Sequence, residues 1–172
     1  MKRRLCSVDG IDETRALLQS IDLIDRLGQP DWLRSLPLRK RRELEFHNRD
    51  RDAEFVRRAQ ADPRLYDRFY GNRKYYGVTR RSQAYVLDWI ERHAAGRVFL
   101  DYGCGDGSKA RIAARAGAHL SLGLDISDIS IRNCQRRAKD EGLTRLRFFQ
   151  AHAEQTGLPD GCVDGVVCLG LA

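Results

Sequence analysis

From Gly96 onward, short apolar runs alternate with segments that favour helix. The runs read as strands over 97–101, 119–125, 145–150 and 163–169, with helices expected over 108–116 and 127–140. Ser127 stands where an N-cap is needed, and Gly142 lies just past the second helix. This alternation predicts right-handed crossovers and a parallel sheet, with a ligand crevice at the carboxyl ends of the strands.

Ahead of Gly96 the pattern is helical. Leu17, Leu18, Ile21 and Ile24 recur at helical spacing, predicting an amphipathic helix over 11–27 that stops at Gly28 and Pro30. Residues 31–37 read as a turn-like link. A charged helix is expected from Leu38 to about Gln60, with Leu44, Phe55 and Val56 on its docking side, broken at Asp62-Pro63. A short helix bearing Leu65, Tyr66, Phe69 and Tyr70 then leads to a turn at Gly71-Asn72. Val86, Leu87 and Ile90 form the inner stripe of a helix over 82–95, capped by Gly96. The organisation expected is a helical, basic extension over 1–81 and an α/β unit over 82–172.

Composition narrows the class. The chain has 172 residues, 42% of them apolar, enough for one sizeable core. Its longest apolar runs fall well short of 18 residues, so no membrane span is expected. The basic start is followed by Asp9, Asp12 and Glu13, not by an apolar signal region. Five cysteines, an odd number without a C-x-x-C, fit free thiols in a reducing cytoplasm better than a disulfide framework or a metal site. The net charge of +7 is uneven. Residues 34–81 hold 15 Lys/Arg against 7 Asp/Glu, whereas residues 82–172 hold 11 of each. Such a surplus is either a nucleic-acid footprint or a solvated, ion-paired helix; alternating signs in Arg49-Asp-Arg-Asp52 favour the second.

The chemistry concentrates in Asp101-Tyr-Gly-Cys-Gly-Asp-Gly107, directly behind the run Val98-Phe99-Leu100. A glycine-rich turn between a buried strand and a helix lets a ligand lie against bare backbone. Asp125 closes the next apolar run about 20 residues on, where an acid can hold ribose hydroxyls. Together they form a site for an adenosine-bearing cofactor. The dinucleotide fingerprint would need a glycine at Ser108, and a pyrophosphate would be repelled by Asp101. A cofactor carrying an amino group would be attracted to that acid.

The pattern resembles motif I of the class I S-adenosylmethionine-dependent methyltransferases. Ile126-Ser-Asp-Ile-Ser-Ile131 resembles the second motif of that family, Leu146 to Glu154 its third strand and adenine loop, and Leu158 to Cys168 its fourth strand. The likeness covers roughly residues 80–172. It implies a partial Rossmann-like sheet of order 3-2-1-4 and S-adenosylmethionine as cofactor. Carried over by position, it implies that Asp101 and the backbone of Gly103, Cys104 and Gly105 hold the methionine end, with Gly107 completing the turn. Asp125 would bind the ribose and Ile126 the adenine face. His152 and Ala153 would meet the adenine edge, and Cys168 and Leu169 would lie near the sulfonium. His152 stands where many relatives have an aspartate. Tyr75, Tyr76 and Arg80 are lid candidates by the same likeness, although packing of the extension is the favoured role for them.

The family fold has seven strands, and the sequence given ends after the fourth. A fragment is the favoured reading, with an apolar strand 4 edge (Val163, Val166, Val167, Leu169) that a partner chain could cover. The ending Cys168-Leu-Gly-Leu-Ala172 lacks the Asn/Asp-Pro-Pro-aromatic element of adenine amino-methyltransferases, which favours a small-molecule acceptor. The alternatives are an inactive protein that keeps the fold for interaction, and a nucleic-acid methyltransferase using residues 34–81. A nicotinamide oxidoreductase comes last. No general base is identified.

Overall fold

The structure, a computed structural model, describes residues 8–52 and 80–169. Four strands, β1 (Val98–Tyr102), β2 (Leu120–Asp125), β3 (Leu146–Gln150) and β4 (Gly165–Cys168), form a parallel sheet of order β3-β2-β1-β4. Leu100 lies in register with Leu122 on one side and Val166 on the other. The expected strands and their order are all present, each within a residue or two of its predicted bounds.

Six helices are described: α1 (Val8–Ile24), α2 (Pro30–Ser35), α3 (Leu38–Arg51), α4 (Arg80–His93), α5 (Ser108–Arg115) and α6 (Asp128–Asp140). Three of them cover one face of the sheet. Ile90 and Ala94, at the end of α4, meet Phe99, Ala113 and Val167, while Ala110, Ile131, Cys134 and Ala138 pack with Phe148. α6 begins as the sequence predicts, with the Ser127 hydroxyl accepting from the Ser130 N–H at 3.0 Å.

The opposite face is covered by α1. Leu17 and Ile21 are buried against Val98, Leu100, Leu120, Leu122, Leu124 and Phe149, every second residue of three strands. Strands apolar on both faces belong to sheets covered twice, and α1 supplies the second cover. After α1 the chain turns along the outer edge of β3. The Arg26 N–H donates to the Gln150 carbonyl at 2.9 Å, and Asp25 Oδ1 accepts from the Gln150 N–H at 2.9 Å.

Two expectations are corrected. Residues 31–37 are not a turn-like link, because Pro30 opens the helix α2, with Asp31 in its first turn. Proline suits a first helical position, where its missing N–H costs nothing; it is a start as well as a stop. The charged helix α3 ends at Arg51, with Asp52 extended, well before Gln60. The break at Asp62-Pro63, the helix around Leu65, Phe55, Val56, Tyr75 and Tyr76 lie outside the described residues, as does the side chain of Arg80. On β4, Val167 is buried and Val163 packs partly against the core, leaving Val166 and Leu169 as the exposed apolar residues of this edge.

α3 lies at the carboxyl end of the sheet. At its start Lys40 bridges Glu43 and Glu154, the latter in the loop after β3, at 3.1 and 2.9 Å. The Glu154 hydrogen bond holds the Lys40 ammonium above its usual pKa. Near its end Asn48 donates to Asp128 Oδ1 at 2.7 Å and accepts from the Ser127 hydroxyl at 2.6 Å. Charge along this helix is therefore partly laced into ion pairs. Among the described residues no helix is long and apolar enough to cross a membrane.

Candidate cofactor site

The carboxyl ends of β1 and β2 meet at one hydrogen bond. The Gly105 N–H donates to Asp125 Oδ2 at 2.9 Å, while Asp125 Oδ1 accepts from the Ser127 N–H at 2.8 Å. One carboxylate thus fixes both the glycine loop and the entry to α6. Gly103, Gly105 and Gly107 all have φ between 52° and 71°, the left-handed region. Two of them need glycine for different reasons. A Cβ on Gly107 would strike Phe148 at 2.7 Å and the Cys134 sulfur at 2.8 Å, so this glycine lets α5 approach the sheet. A Cβ on Gly105 would meet only the tip of Arg51, at 3.1 Å, so its backbone faces outward over the crevice.

Asp101 is 2% exposed and lies beneath this loop. Burial pushes its carboxyl up to about 7 from an ordinary 3.8, against the pull of Lys109 and of the Ala110 N–H, which donates to Oδ2 at 3.3 Å. Asp106 goes the other way. Burial opposes its charge, but the Ser108 N–H and hydroxyl outweigh that and hold it below the usual range; the N–H donates to Oδ1 at 3.0 Å. Two donors at the start of α5 are therefore already engaged by carboxylates. The loop is built to accept hydrogen bonds, not to trap an anion, which suits an ammonium and ribose hydroxyls better than a pyrophosphate.

The other predicted residues take varied positions. The Cys104 N–H donates to the Leu124 carbonyl at 2.8 Å, but its thiol is buried beside Cys134. The Cys134 hydrogen bond, with burial, pushes that thiol well up. Ile126 is half-buried, its carbonyl held by Gln150 Nε2 at 2.7 Å. The Ala153 carbonyl accepts from the Tyr102 hydroxyl. His152 Nδ1 accepts from the Glu154 N–H at 3.0 Å, so its ring organises its own loop. Cys168 pairs in register with Tyr102, and Leu169 follows, exposed. Asp101, Gly103, Gly105 and Asp125 thus form one cluster. The thiol of Cys104 and the Cα of Gly107 face the core.

Sequence reasoning missed Tyr102, Gln150, Asn48 and Arg51. Tyr102 stands inside the glycine motif, and only the sheet shows that its hydroxyl reaches the loop after β3. Gln150 was placed on a strand without a role. Asn48 and Arg51 sit in a charge-dense stretch with nothing local to single them out. A cleft of about 420 Å³ also opens where Ile24, Trp32 and Leu36 face Ala151, His152 and Thr156.

The sequence from Phe99 to Ala172 matches the model of a methyltransferase domain family. The match supports a class I S-adenosylmethionine-dependent methyltransferase domain over residues 99–172. The ribosomal protein L11 methyltransferase of Burkholderia lata is 33% identical to the chain over 81 residues, 46% of this chain and 24% of that protein. The ubiquinone biosynthesis O-methyltransferase of Acinetobacter baylyi is 33% identical over 87 residues, 48% of this chain and 36% of that protein. The chain thus spans only about a quarter to a third of the length of these relatives. A solved methyltransferase from Thiobacillus denitrificans, in complex with S-adenosylhomocysteine, is 28% identical over 54% of this chain and 37% of its own, with a TM-score of 0.45. The methyltransferase segment accordingly comprises the sheet, α5, α6 and the site just described, with S-adenosylmethionine as its family's cofactor.

Proposed function

We propose that the chain carries the cofactor-binding half of an S-adenosylmethionine-dependent methyltransferase whose acceptor is a small molecule. The observation that supports it most directly is the Gly105 to Asp125 hydrogen bond, which joins the glycine loop to the acid of the next strand. Bound there, S-adenosylmethionine supplies an electrophilic methyl group on its sulfonium. Asp101 would take the ammonium and Asp125, through its remaining lone pairs, the ribose hydroxyls. Ile126 offers an apolar wall to the adenine, and the Ala153 backbone, steadied by Tyr102, meets the adenine edge. Cys168 and Leu169 flank the reacting end. Methyl transfer needs chiefly alignment of two partners and exclusion of water, and these groups supply alignment on the cofactor side.

The small-molecule acceptor rests on the end of β4. Cys168-Leu169 and the two residues after them carry no Asn/Asp-Pro-Pro-aromatic element to seat a nucleobase amine. The two relatives act, by their names, on a ribosomal protein and in ubiquinone synthesis. Both match over less than half of this chain and little more than a third of their own length at most, so they leave the acceptor to this local argument.

Titration calorimetry with S-adenosylhomocysteine at pH 8 tests the site. Asp125→Ala should weaken binding about tenfold or more, since two charge-assisted contacts are lost; unchanged affinity would sink the ribose assignment. Radiolabelled methyl groups from S-adenosylmethionine, supplied with a cell extract, should enter the small-molecule fraction. Label confined to precipitated protein or nucleic acid would refute the acceptor class.

A further inference from the structure

We infer that Arg51 is the anchor for the carboxylate of the cofactor's methionine end; this rests on the cofactor site proposed above. Arg51 is the last residue of α3, and its guanidinium lies over Gly105, with Nη2 at 3.1 Å and Cζ at 4.0 Å from the position a Cβ would take. That is the stretch of bare backbone on which the ligand's amino-acid end would rest. The placement is built, because Asn48, one turn earlier, is bonded to both Ser127 and Asp128 at the start of α6.

The chemistry of the loop calls for such a cation. Asp101, Asp106 and Asp125 surround it, and the Ser108 and Ala110 N–H groups already serve two of them. A ligand ammonium is welcome there, but its neighbouring carboxylate is not unless a cation offsets the acids. Among the described cations, Arg111 and Arg137 both donate to the Asp106 carbonyl, and Arg111 is also paired with Glu141 at 3.2 Å. Arg51 has no ion pair or hydrogen bond among the described residues, and its exposed guanidinium keeps its full set of donors. A planar fork with two parallel N–H groups matches a carboxylate bidentately. Helix α3 would then contribute from outside the methyltransferase segment, completing the methionine pocket across the mouth of the crevice.

The test compares two ligands by calorimetry, S-adenosylhomocysteine and 5′-methylthioadenosine, which keeps the adenosine and sulfur but lacks the amino-acid group. Arg51→Ala should weaken S-adenosylhomocysteine about 10- to 100-fold, the range of a lost charge-assisted pair, and leave methylthioadenosine within about twofold. Arg51→Lys should restore part of the loss, and the melting temperature should not move. Equal weakening of both ligands would overturn the inference in favour of a loop-supporting role. Tighter binding by Arg51→Ala would overturn it in favour of a side chain that the ligand displaces. A selective loss in Lys109→Ala, with Arg51→Ala unchanged, would transfer the role to the lysine. Wild-type protein that binds neither compound would refute the cofactor site itself, and this inference with it.

Discussion

The two faces of the sheet are covered in different ways and serve different ends. Toward α4, α5 and α6 the interior holds polar groups: Asp101, Ser121, Ser127, Ser130 and Gln150 are all buried among or beside these helices, and four of them bond to the loops or helix starts that form the site. Ser121 instead ties β2 to α5 through the Ala110 carbonyl. Toward α1 the buried residues among those described are apolar. One face is wired to the crevice at the ends of the strands. The other chiefly keeps the sheet dry and reaches the site through the Tyr102 hydroxyl, which holds the Ala153 carbonyl. The difference locates function before any ligand is considered, since a buried polar group is costly unless it is bonded, and here the bonding partners converge on the site.

The sharpest way to break this contrast is to put a charge on the dry face. Ile21 is fully buried under the sheet, so Ile21→Asp places an acid among Leu, Val and Phe with nothing to pair it. Several kcal/mol is expected, a large part of a domain's roughly 5–15 kcal/mol, and the cooperative melt should vanish or fall steeply. Leu23→Asp, two residues on and 79% exposed, should stay within about 0.5 kcal/mol of wild type. Equal melts for the two variants would mean that α1 does not seal the sheet in solution.

The polar face should instead answer to pH. Folding raises the Asp101 carboxyl from 3.8 to about 7, so the folded state takes up a proton. The stabilisation this represents is complete below pH 3.8 and is lost as pH rises through about 7. Asp101→Asn stays neutral throughout. It should therefore gain on wild type as pH rises, by on the order of 4 kcal/mol at pH 8 in chemical denaturation. S-adenosylhomocysteine should behave oppositely, binding wild type more tightly above pH 7 as the carboxylate forms for its ammonium. Parallel stability curves for the two proteins from pH 5 to 8 would refute a buried, proton-holding Asp101.

A steric change separates the faces in another way. Gly123 on β2 points toward the polar face, where an added Cβ would lie 2.4 Å from Phe148 Cδ1 and 3.2 Å from the Cys104 sulfur. Gly123→Ala should cost about 1–3 kcal/mol through overpacking. Because Cys104 belongs to the glycine loop, the same change should also weaken S-adenosylhomocysteine. An affinity unchanged despite the lost stability would show that the loop is insulated from the core beneath it.

Much of this was legible in the sequence. Runs such as Val98-Phe99-Leu100 and Phe148-Phe149 placed the strands, and their alternation with helices gave the parallel sheet. The cluster of Asp101, Gly105 and Asp125 followed from spacing, because strand order brings those two loops together. What covers the second face was not legible. The stripe of Leu17, Ile21 and Ile24 shows that α1 has an apolar side, but periodicity names no partner. Pro30 was read only as the stop of one helix, although the same rigid φ opens the next. Asn48 and Arg51 were hidden because a run of charges has no period, and only the docking of α3 gives them neighbours.

That docking supplies the finest test, at the rim where the N-terminal helices meet the polar face. The Ser127 hydroxyl caps α6 through the Ser130 N–H and also donates to Asn48 of α3. Ser127→Ala should cost about 1 kcal/mol, the usual loss of an N-cap, plus whatever its bond to Asn48 contributes. Asn48→Ala should cost less, since Asp128 keeps its role at the start of α6 and its ion pair with Arg132 at 2.9 Å. If the two side chains act through each other, the double variant will fall short of the sum by about 0.5–1 kcal/mol. Additivity within about 0.3 kcal/mol would mean that the contact contributes nothing to holding α3. Helix α3 would then rest on Leu44, the bridge from Lys40 to Glu154 and the bond from Asn48 to Asp128, and the position of Arg51 over the glycine loop would lose part of its support.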